Sequence, residues 1–306
     1  MTVLARKRAR IKYSRSETRA AWILLLPSVI GLVCITYVPM IASFALSLFD
    51  WNGLGAMKYI GLDNYIRLFT RDTKFFGSLA TTLEYAAISV FGSIVYSMIV
   101  AMLLNRKVPA RGFFRAVFYL PYVLPALAVY LGWKWLYDYN HGFFNYVIKL
   151  TGGTSLKFLD SSALVTPSLS FIAVWLSGNL IVIFLAGLQN VPRTYHEAAE
   201  IDGANAWHRF WKITIPCMTP IIFYNLLMSL VTNLQVITPA LSLTQGGPGT
   251  GSYFMCFMLY TQAFKSHKYG YGSAIAVILF LIIAVFTGIL FATSKGWIFY
   301  EGDEKE

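Results

Sequence analysis

The sequence predicts an all-α integral membrane protein with six transmembrane helices, and three observations support this fold class. Of its 306 residues, 57% are hydrophobic and 13% are charged, whereas soluble domains carry about 45–50% and about 25%. Apolar stretches reach the roughly 20 residues that a helix needs to cross a hydrocarbon core of about 30 Å. Lysine and arginine are concentrated in alternate connecting segments, as in multi-span proteins. The apolar stretches lie near residues 21–49, 79–104, 113–136, 165–188, 216–238 and 271–293.

The distribution of basic residues predicts that both termini are cytoplasmic. The tail before the first stretch holds seven lysines and arginines against one acid, Glu17. The loop after the second stretch holds only basic charges, namely Arg106, Lys107, Arg111 and Arg115. Loops 50–76 and 134–162 carry mixed charge, as external loops do. The tail sequence RKRARIKYSR also resembles a nucleic-acid-binding arm, but topology accounts for it more simply, and we expect no nucleic-acid partner.

The first apolar stretch is predicted to be a retained span. From Trp22 to Phe49 it is much longer than the roughly 7 to 15 apolar residues of a signal peptide.

Three cysteines lie in or beside apolar stretches without metal-ligand spacing, so neither a disulfide framework nor a metal site is expected. Prolines within or at the ends of the stretches either break helices beside a cavity or simply begin them. These prolines are Pro27, Pro39, Pro121, Pro125, Pro216, Pro220 and Pro239.

A polar segment, residues 190–216, separates the fourth and fifth stretches. Its six charged side chains would each cost about 2.5–3.5 kcal/mol near a bilayer centre, so it lies outside the hydrocarbon. Thr194 and Glu197 have capping-box spacing, and Gly203 is placed to end a short helix in the left-handed conformation. Asn205 can cap a second helix that lies along the interface and meets the span at Pro216. A capped surface loop is the plainer alternative.

The spacing within this segment resembles the EAA loop of binding-protein-dependent ABC importer permeases. That pattern is EAA, three residues, Gly, nine residues, then Ile-x-Leu-Pro, and here EAA at 197–199, Gly203 and ITIP at 213–216 match it, with Ile215 in place of Leu. Other stretches resemble the carbohydrate-uptake class and its maltose-type permeases. They are AWILLLPSVIGL (21–32), GLDNYIRLF (61–69), LTQGGPG (243–249) and YGYGSAIAVIL (269–279).

The resemblance implies a MetI-like transmembrane fold in a prokaryotic cytoplasmic membrane, with a short cytoplasmic coupling helix between the fourth and fifth spans. It implies partners: a second permease subunit, two ATP-binding cassette subunits that bind ATP and Mg, and an extracytoplasmic sugar-binding protein. The chain itself then needs no cofactor and is not an enzyme. The coupling residues implied are Glu197, Ala198, Ala199, Asp202 and Gly203. The implied division is a basic tail (1–20), a first span with its external loop (21–78), a transport domain (79–293) containing the EAA loop, and a second tail (294–306).

Two other functions compete with that of an importer subunit. The first is ATP hydrolysis by this chain itself, because the glycine-rich GGPGTGS (246–252) has the glycine spacing of a phosphate-binding loop. Ser252 and Tyr253, however, replace the Lys and Ser/Thr that would contact phosphate and Mg²⁺ in such a loop. An ion-coupled carrier for a small polar solute is the alternative function, and such carriers keep ionisable residues within the membrane. Only Glu84, near a span end, is of that kind.

Neutral polar residues on the fifth span are the predicted substrate path. Asn225, Ser229, Thr232 and Asn233 recur on one helical face, and Gln235 follows. The second span has a similar stripe of Ser89, Ser93, Tyr96 and Ser97. Hydrogen bonding between helices is the alternative role for both stripes.

Overall fold

The computed structural model of this chain describes residues 15–106 and 109–299. Most of the predicted basic tail (residues 1–14), Lys107 of the basic loop and the end of the predicted C-terminal tail (residues 300–306) lie outside the described residues. Nearly all of the regular secondary structure in the described part is helical, as its apolar composition predicts.

The first span is a continuous helix at the edge of the molecule. It consists of α1 (Arg15–Gly31), a π-helical stretch (Leu32–Tyr37) and α2 (Val38–Leu46). Pro39 has no N–H to donate to the preceding turn, and the wider π-helical turn lies directly before it. The apolar part of this span buries no residue. Its inner contact is at the far end, where Phe44 packs edge-on against Phe280 of the last helix at 5.6 Å.

A small lobe follows the first span. Strands β1 (Phe49–Asp50) and β2 (Lys58–Tyr59) form an antiparallel pair, and helix α3 (Asp63–Thr70) closes the lobe. The buried Asn64 side chain donates to the carbonyl oxygens of Ser47 and Phe49, at 2.9 and 3.1 Å. These bonds fix α3 against the end of α2.

Helix α4 (Phe75–Asn105) is the central element of the bundle. Its 31 residues make it about 46 Å long, more than a hydrocarbon core requires. Small residues on its buried face allow neighbouring helices to approach closely. At Gly92, for example, a Cβ would lie only 2.7 Å from the Cγ2 atom of Val174 on a neighbouring helix. The buried Thr82 hydroxyl accepts a hydrogen bond from the backbone N–H of Met255 at 2.9 Å.

The third apolar stretch is sharply bent. Helices α5 (Arg111–Val123) and α6 (Ala126–Leu136) meet at 98°. Leu124 between them is extended and precedes Pro125, because a residue before proline is disfavoured in the helical region. Helix α7 (Phe143–Leu150) then lies in the loop before α8. In that loop the backbone N–H groups of His141 and Asn140 donate to Asp138 and hold the pKa of its carboxyl below its usual range.

The fourth stretch is bent less. Helices α8 (Val165–Trp175) and α9 (Gly178–Asn190) meet at 47° around Ser177. Gly178 is needed at this point, because a Cβ there would lie 2.9 Å from the carbonyl oxygen of Phe118 on α5. Glycine therefore lets α9 begin directly against the α5 backbone.

The second half of the chain completes the bundle with two long helices. Helices α10 (Arg193–Ile201) and α11 (Ala206–Arg209) precede α12 (Ile215–Leu234), and α13 (Met255–Tyr260) precedes α14 (Tyr269–Ser294). Three more π-helical stretches adjoin them, at Phe210–Thr214, Ala240–Thr244 and Thr261–Lys265.

The described helices give four continuous candidate spans, or up to six if each bent pair is one span. The six apolar stretches predicted from sequence all fall on these helices. At one end, the first turns of α4 and α8 contact the loop before α13: Thr81 and Thr166 donate to the carbonyl oxygens of Thr250 and Gly251 at 2.9 and 2.7 Å. The opposite end of α4 lies beside the polar segment, residues 190–216. We call these ends the loop end and the polar-segment end.

Candidate functional site

The polar segment presents a short, exposed helix at one end of the bundle. Of the predicted coupling residues, Glu197, Ala198, Asp202 and Gly203 are exposed and Ala199 is half-buried. Ile201 on the same helix is 86% exposed. Helix α10 therefore presents acidic side chains and the large apolar side chain of Ile201 on its exposed surface.

The predicted capping box at Thr194 and Glu197 is wrong. Helix α10 already begins at Arg193, with Pro192 as its N-cap and no side-chain capping bond. Proline has the backbone φ that a helix start needs and no N–H to leave unsatisfied. Thr194 therefore lies within the first turn, and Glu197 is an exposed residue in the middle of the helix.

The end of α10 agrees with the sequence prediction. Gly203 has φ +78°. The Ala204 N–H donates to the Ala199 oxygen at 2.8 Å, and the Gly203 N–H donates to the Glu200 oxygen at 3.0 Å. These two bonds form a Schellman motif, which satisfies carbonyl groups at the helix end and sets the direction of the chain that follows.

The second helix begins where the sequence predicts but continues differently. The Asn205 side chain caps it by accepting the N–H of His208 at 2.8 Å. The helix then continues without interruption from Ala206 to Leu234. The second helix is thus joined to the span as predicted, but no boundary at Pro216 separates the two, because Pro216 falls in the first turn of α12, where proline is tolerated.

An ion pair joins the two sides of the Gly203 turn. Arg209, with a side chain 21% exposed, contacts Glu200, with a side chain 60% exposed. Beneath the pair lies a cavity of about 450 Å³ between the polar segment and the ends of α4 and α9, with His196 in its lining. Glu200 and Arg209 are themselves in the lining of this cavity.

The largest cavity described lies in the middle of the bundle and has a volume of about 570 Å³. All five residues of the predicted substrate path line it: Asn225, Ser229, Thr232, Asn233 and Gln235. The break between α8 and α9 opens onto the same space, since Ser177 and Asn179 are also in its lining. The cavity thus meets α12 along its polar stripe.

Hydrogen bonds within the stripe are mostly local to α12. Asn233 Nδ2 donates to the Ser229 carbonyl at 2.8 Å, and Thr232 donates to the Met228 carbonyl at 2.8 Å. Asn225 is 1% exposed, and its Nδ2 has no acceptor among the described residues. None of these bonds joins α12 to another helix, as a purely structural role between helices would require.

The polar stripe on α4 is divided between two roles. Ser93 lines the central cavity, whereas the Ser97 hydroxyl lies 2.9 Å from that of Ser177 and joins α4 to the α8–α9 break. Tyr96 lines a separate groove. The Ser89 hydroxyl is buried without a partner among the described residues. Interhelical bonding therefore accounts for Ser97 and not for Ser93.

Four tyrosines in the cavity lining were not predicted from sequence. They come from four helices and are Tyr85, Tyr122, Tyr130 and Tyr224. No spacing rule brings them together, because the α5–α6 bend decides where Tyr122 and Tyr130 lie. The described lining residues include no Asp, Glu, Lys, Arg or His.

Comparison with known proteins supplies the family context for this geometry. Residues 93–296 match a family model described as "Binding-protein-dependent transport system inner membrane component". The chain is similar to YesP, a probable ABC transporter permease of Bacillus subtilis, with 37% identity over 295 residues that cover 95% of each chain. It is 35% identical to MsmF, a multiple sugar-binding transport system permease of Streptococcus mutans, over 90% of this chain and 94% of that protein.

A solved structure has the same fold. It is a bacterial alginate ABC transporter in complex with an alginate pentasaccharide-bound periplasmic protein. The match has a TM-score of 0.80 and covers 92% of this chain and 95% of that one, at 21% identity.

Proposed function

This chain belongs to the family of binding-protein-dependent transport system inner membrane components, and on that premise we propose that it imports a neutral sugar or oligosaccharide. It is the permease subunit of an ABC importer, located in the cytoplasmic membrane, and ATP hydrolysis belongs to a separate subunit. The relatives named for multiple sugars and for an oligosaccharide support the carbohydrate class. The observation that supports a neutral carbohydrate, and not an acidic one, as the substrate is the uncharged lining of the central cavity.

The uncharged lining of the described cavity bears on which carbohydrates pass. Sugar hydroxyls are bound by neutral hydrogen-bonding groups and by aromatic faces, and the described lining offers amides, hydroxyls and four tyrosines. A uronate such as those of alginate would bring a carboxylate into a site with no described cation to neutralise it. Asn225, Ser229, Thr232, Asn233 and Gln235 are the side chains on α12 that we propose contact the sugar.

The exposed helix α10 is the proposed docking site for the ATPase. Three features support this role: the Schellman motif that ends α10, the Asn205 cap of the helix that follows, and the exposed Ile201 side chain. The exposed surface of α10 is formed by Glu197, Ala198 and Asp202, whereas Ala199 is half-buried. Gly203 sets the direction in which the chain leaves α10. We propose that two ATPase subunits, which bind ATP and Mg, grip this chain and a second permease subunit.

The remaining partners follow from the same proposal. A loaded sugar-binding protein would meet the loop end, and the polar-segment end, together with both termini, would face the cytoplasm. The proposed transport domain is 79–293, with the EAA loop at 190–216, a first span and external loop at 21–78, and tails at 1–20 and 294–306.

An ion-coupled carrier is not favoured by this geometry. Glu84 lies on the exposed side of α4 and is not among the residues lining the central cavity. Coupling by protonation would require an ionisable group on the solute path.

The test is reconstitution of the permease with its partner permease, ATPase and binding protein in sealed vesicles. Uptake of labelled neutral oligosaccharides should depend on ATP and stop with a hydrolysis-deficient ATPase. A uronic-acid oligosaccharide of the same length, delivered by a binding protein that accepts it, should not accumulate. ATP-independent uptake that an ionophore abolishes would reject the importer, and equal accumulation of the uronate would reject the neutral class.

A further inference from the structure

Two arginines at the start of α5 converge on one side chain. Arg111 and Arg115 are one turn apart and share a helix face. With the Gln189 amide oriented so that its oxygen faces them, that oxygen accepts Nη2 of Arg111 at 3.0 Å and Nη2 of Arg115 at 3.1 Å. Two positive guanidinium groups are therefore held around a single neutral oxygen of α9.

The two guanidinium groups are incompletely satisfied. Both side chains are partly buried, and the Nε atom of each is buried without an acceptor among the described residues. Neither arginine forms an ion pair within the part of the chain that the structure describes. Adjacent like charges that lack a counter-ion favour an anion beside them, which the outer Nη groups can contact.

An apolar groove begins beside the arginines. It has a volume of about 290 Å³ and is formed by α4, α5 and the end of α8. Its lining is Tyr96, Val117, Phe118, Leu120, Pro121, Leu124 and Trp175. Val117 and Phe118 of this lining follow Arg115 by two and three residues on α5, which places the near end of the groove within one helical turn of the arginine. Phe113, next to the arginines, is 66% exposed, as expected for a residue that contacts lipid near the interface.

We propose that Arg111 and Arg115 bind the phosphate of an anionic phospholipid, and that one acyl chain of this lipid lies in the groove along α5. Guanidinium groups present paired N–H donors that match phosphate oxygens, and a phosphate accepts from both arginines at once. The groove suits the acyl chain of the lipid, because it is apolar and lies along a helix of a membrane span. Basic pockets between membrane helices bind lipid headgroups for the same reason.

The test uses the assembled importer, purified, delipidated and titrated with phosphatidylglycerol or phosphatidylcholine, with bound lipid counted by native mass spectrometry. The wild-type complex should prefer phosphatidylglycerol. The R111Q/R115Q variant should lose roughly thirtyfold in phosphatidylglycerol affinity, which is the contribution of two juxtamembrane cations. Lys295→Gln is the matched control, because Lys295 is exposed at the polar-segment end, away from the groove; its affinity should stay at the wild-type value.

Further measurements distinguish a lipid site from a site for a soluble anion and from a purely structural cluster. The R111K/R115K variant keeps both charges without the paired donors, and its affinity should lie between those of the wild type and the glutamine variant. Inorganic phosphate and glycerophosphoglycerol, which lack acyl chains, should not displace the lipid at concentrations that saturate phosphatidylglycerol. Competition by either would overturn the groove assignment. Equal binding of the two lipids, or release of the partner permease instead of lipid from R111Q/R115Q, would overturn the site.

Discussion

Replacing Gly203 tests whether the turn after α10 positions this helix for the proposed contact with the ATPase. Gly203 has φ +78°, and a Cβ placed there would meet nothing within 4 Å. The cost of a side chain is therefore conformational and not steric. A left-handed conformation costs a non-glycine residue roughly 1–2 kcal/mol, and a β-branched residue is a genuine outlier there.

The structure offers little to offset this cost. The Glu200–Arg209 pair across the turn is largely exposed on its carboxylate side, and surface pairs contribute about 0.2–1 kcal/mol. A net loss of about 1–2 kcal/mol for Gly203→Val lowers the population of the native turn by roughly five- to thirtyfold. Gly203→Asn is the matched control, because asparagine tolerates the left-handed region.

The assay is co-purification of the ATPase subunits with the permease, followed by hydrolysis stimulated by loaded binding protein in reconstituted vesicles. Gly203→Val should insert normally, since the turn lies outside the apolar spans, and should lose most ATPase binding or stimulation. Gly203→Asn should retain both to within a few-fold. Wild-type values for Gly203→Val in both measurements would refute the reasoning and leave residues 193–203 as a capped surface loop.

Three further predictions follow from the described geometry. Glu197→Lys should leave α10 folded, since Glu197 makes no capping bond, yet reduce stimulated hydrolysis at least several-fold by reversing charge on the docking surface; unchanged hydrolysis would remove Glu197 from that surface. Asn233→Leu should reduce uptake about tenfold or more while the complex assembles and binds nucleotide, because a cavity-lining amide is lost; failed assembly would instead indicate a packing role. In a cysteine-free variant, Ala198→Cys and Lys149→Cys should react with an impermeant thiol reagent from opposite faces of sealed vesicles, and labelling from one face would contradict the topology.

The sequence predicts the spans well because the signal is local. Each apolar stretch is long enough to be recognised on its own, and each corresponds to helix in the structure. The 98° angle between α5 and α6 was not predictable, although Pro125 marked the position. Proline determines that a helix ends there, whereas packing against other elements determines the direction of the next helix.

In the candidate site, too, local features could be predicted from the sequence and contacts between distant elements could not. Gly203 and Asn205 were correctly assigned because a left-handed glycine and an asparagine cap are signals within a few residues. The capping box failed because two signals competed, and Pro192 starts the helix before Thr194 can cap it. The pairing of Arg115 with Gln189 joins residues on two helices, and no pattern in a single sequence indicates it.

The unbroken helix from Ala206 to Leu234 has a mechanical consequence. Its 29 residues make a rod about 44 Å long, with the Asn205 cap at one end and the cavity-lining amides towards the other. The rod is continuous but not uniform, because the π-helical turn at Phe210–Thr214 and Pro220 lie within it. A rotation of about 10° at the capped end moves a side chain about 5 Å from the axis by about 1 Å, comparable to the difference between a made and a broken hydrogen bond. Under the proposed function, a movement of the capped end would therefore reach the cavity-lining side chains of α12 through one continuous helix.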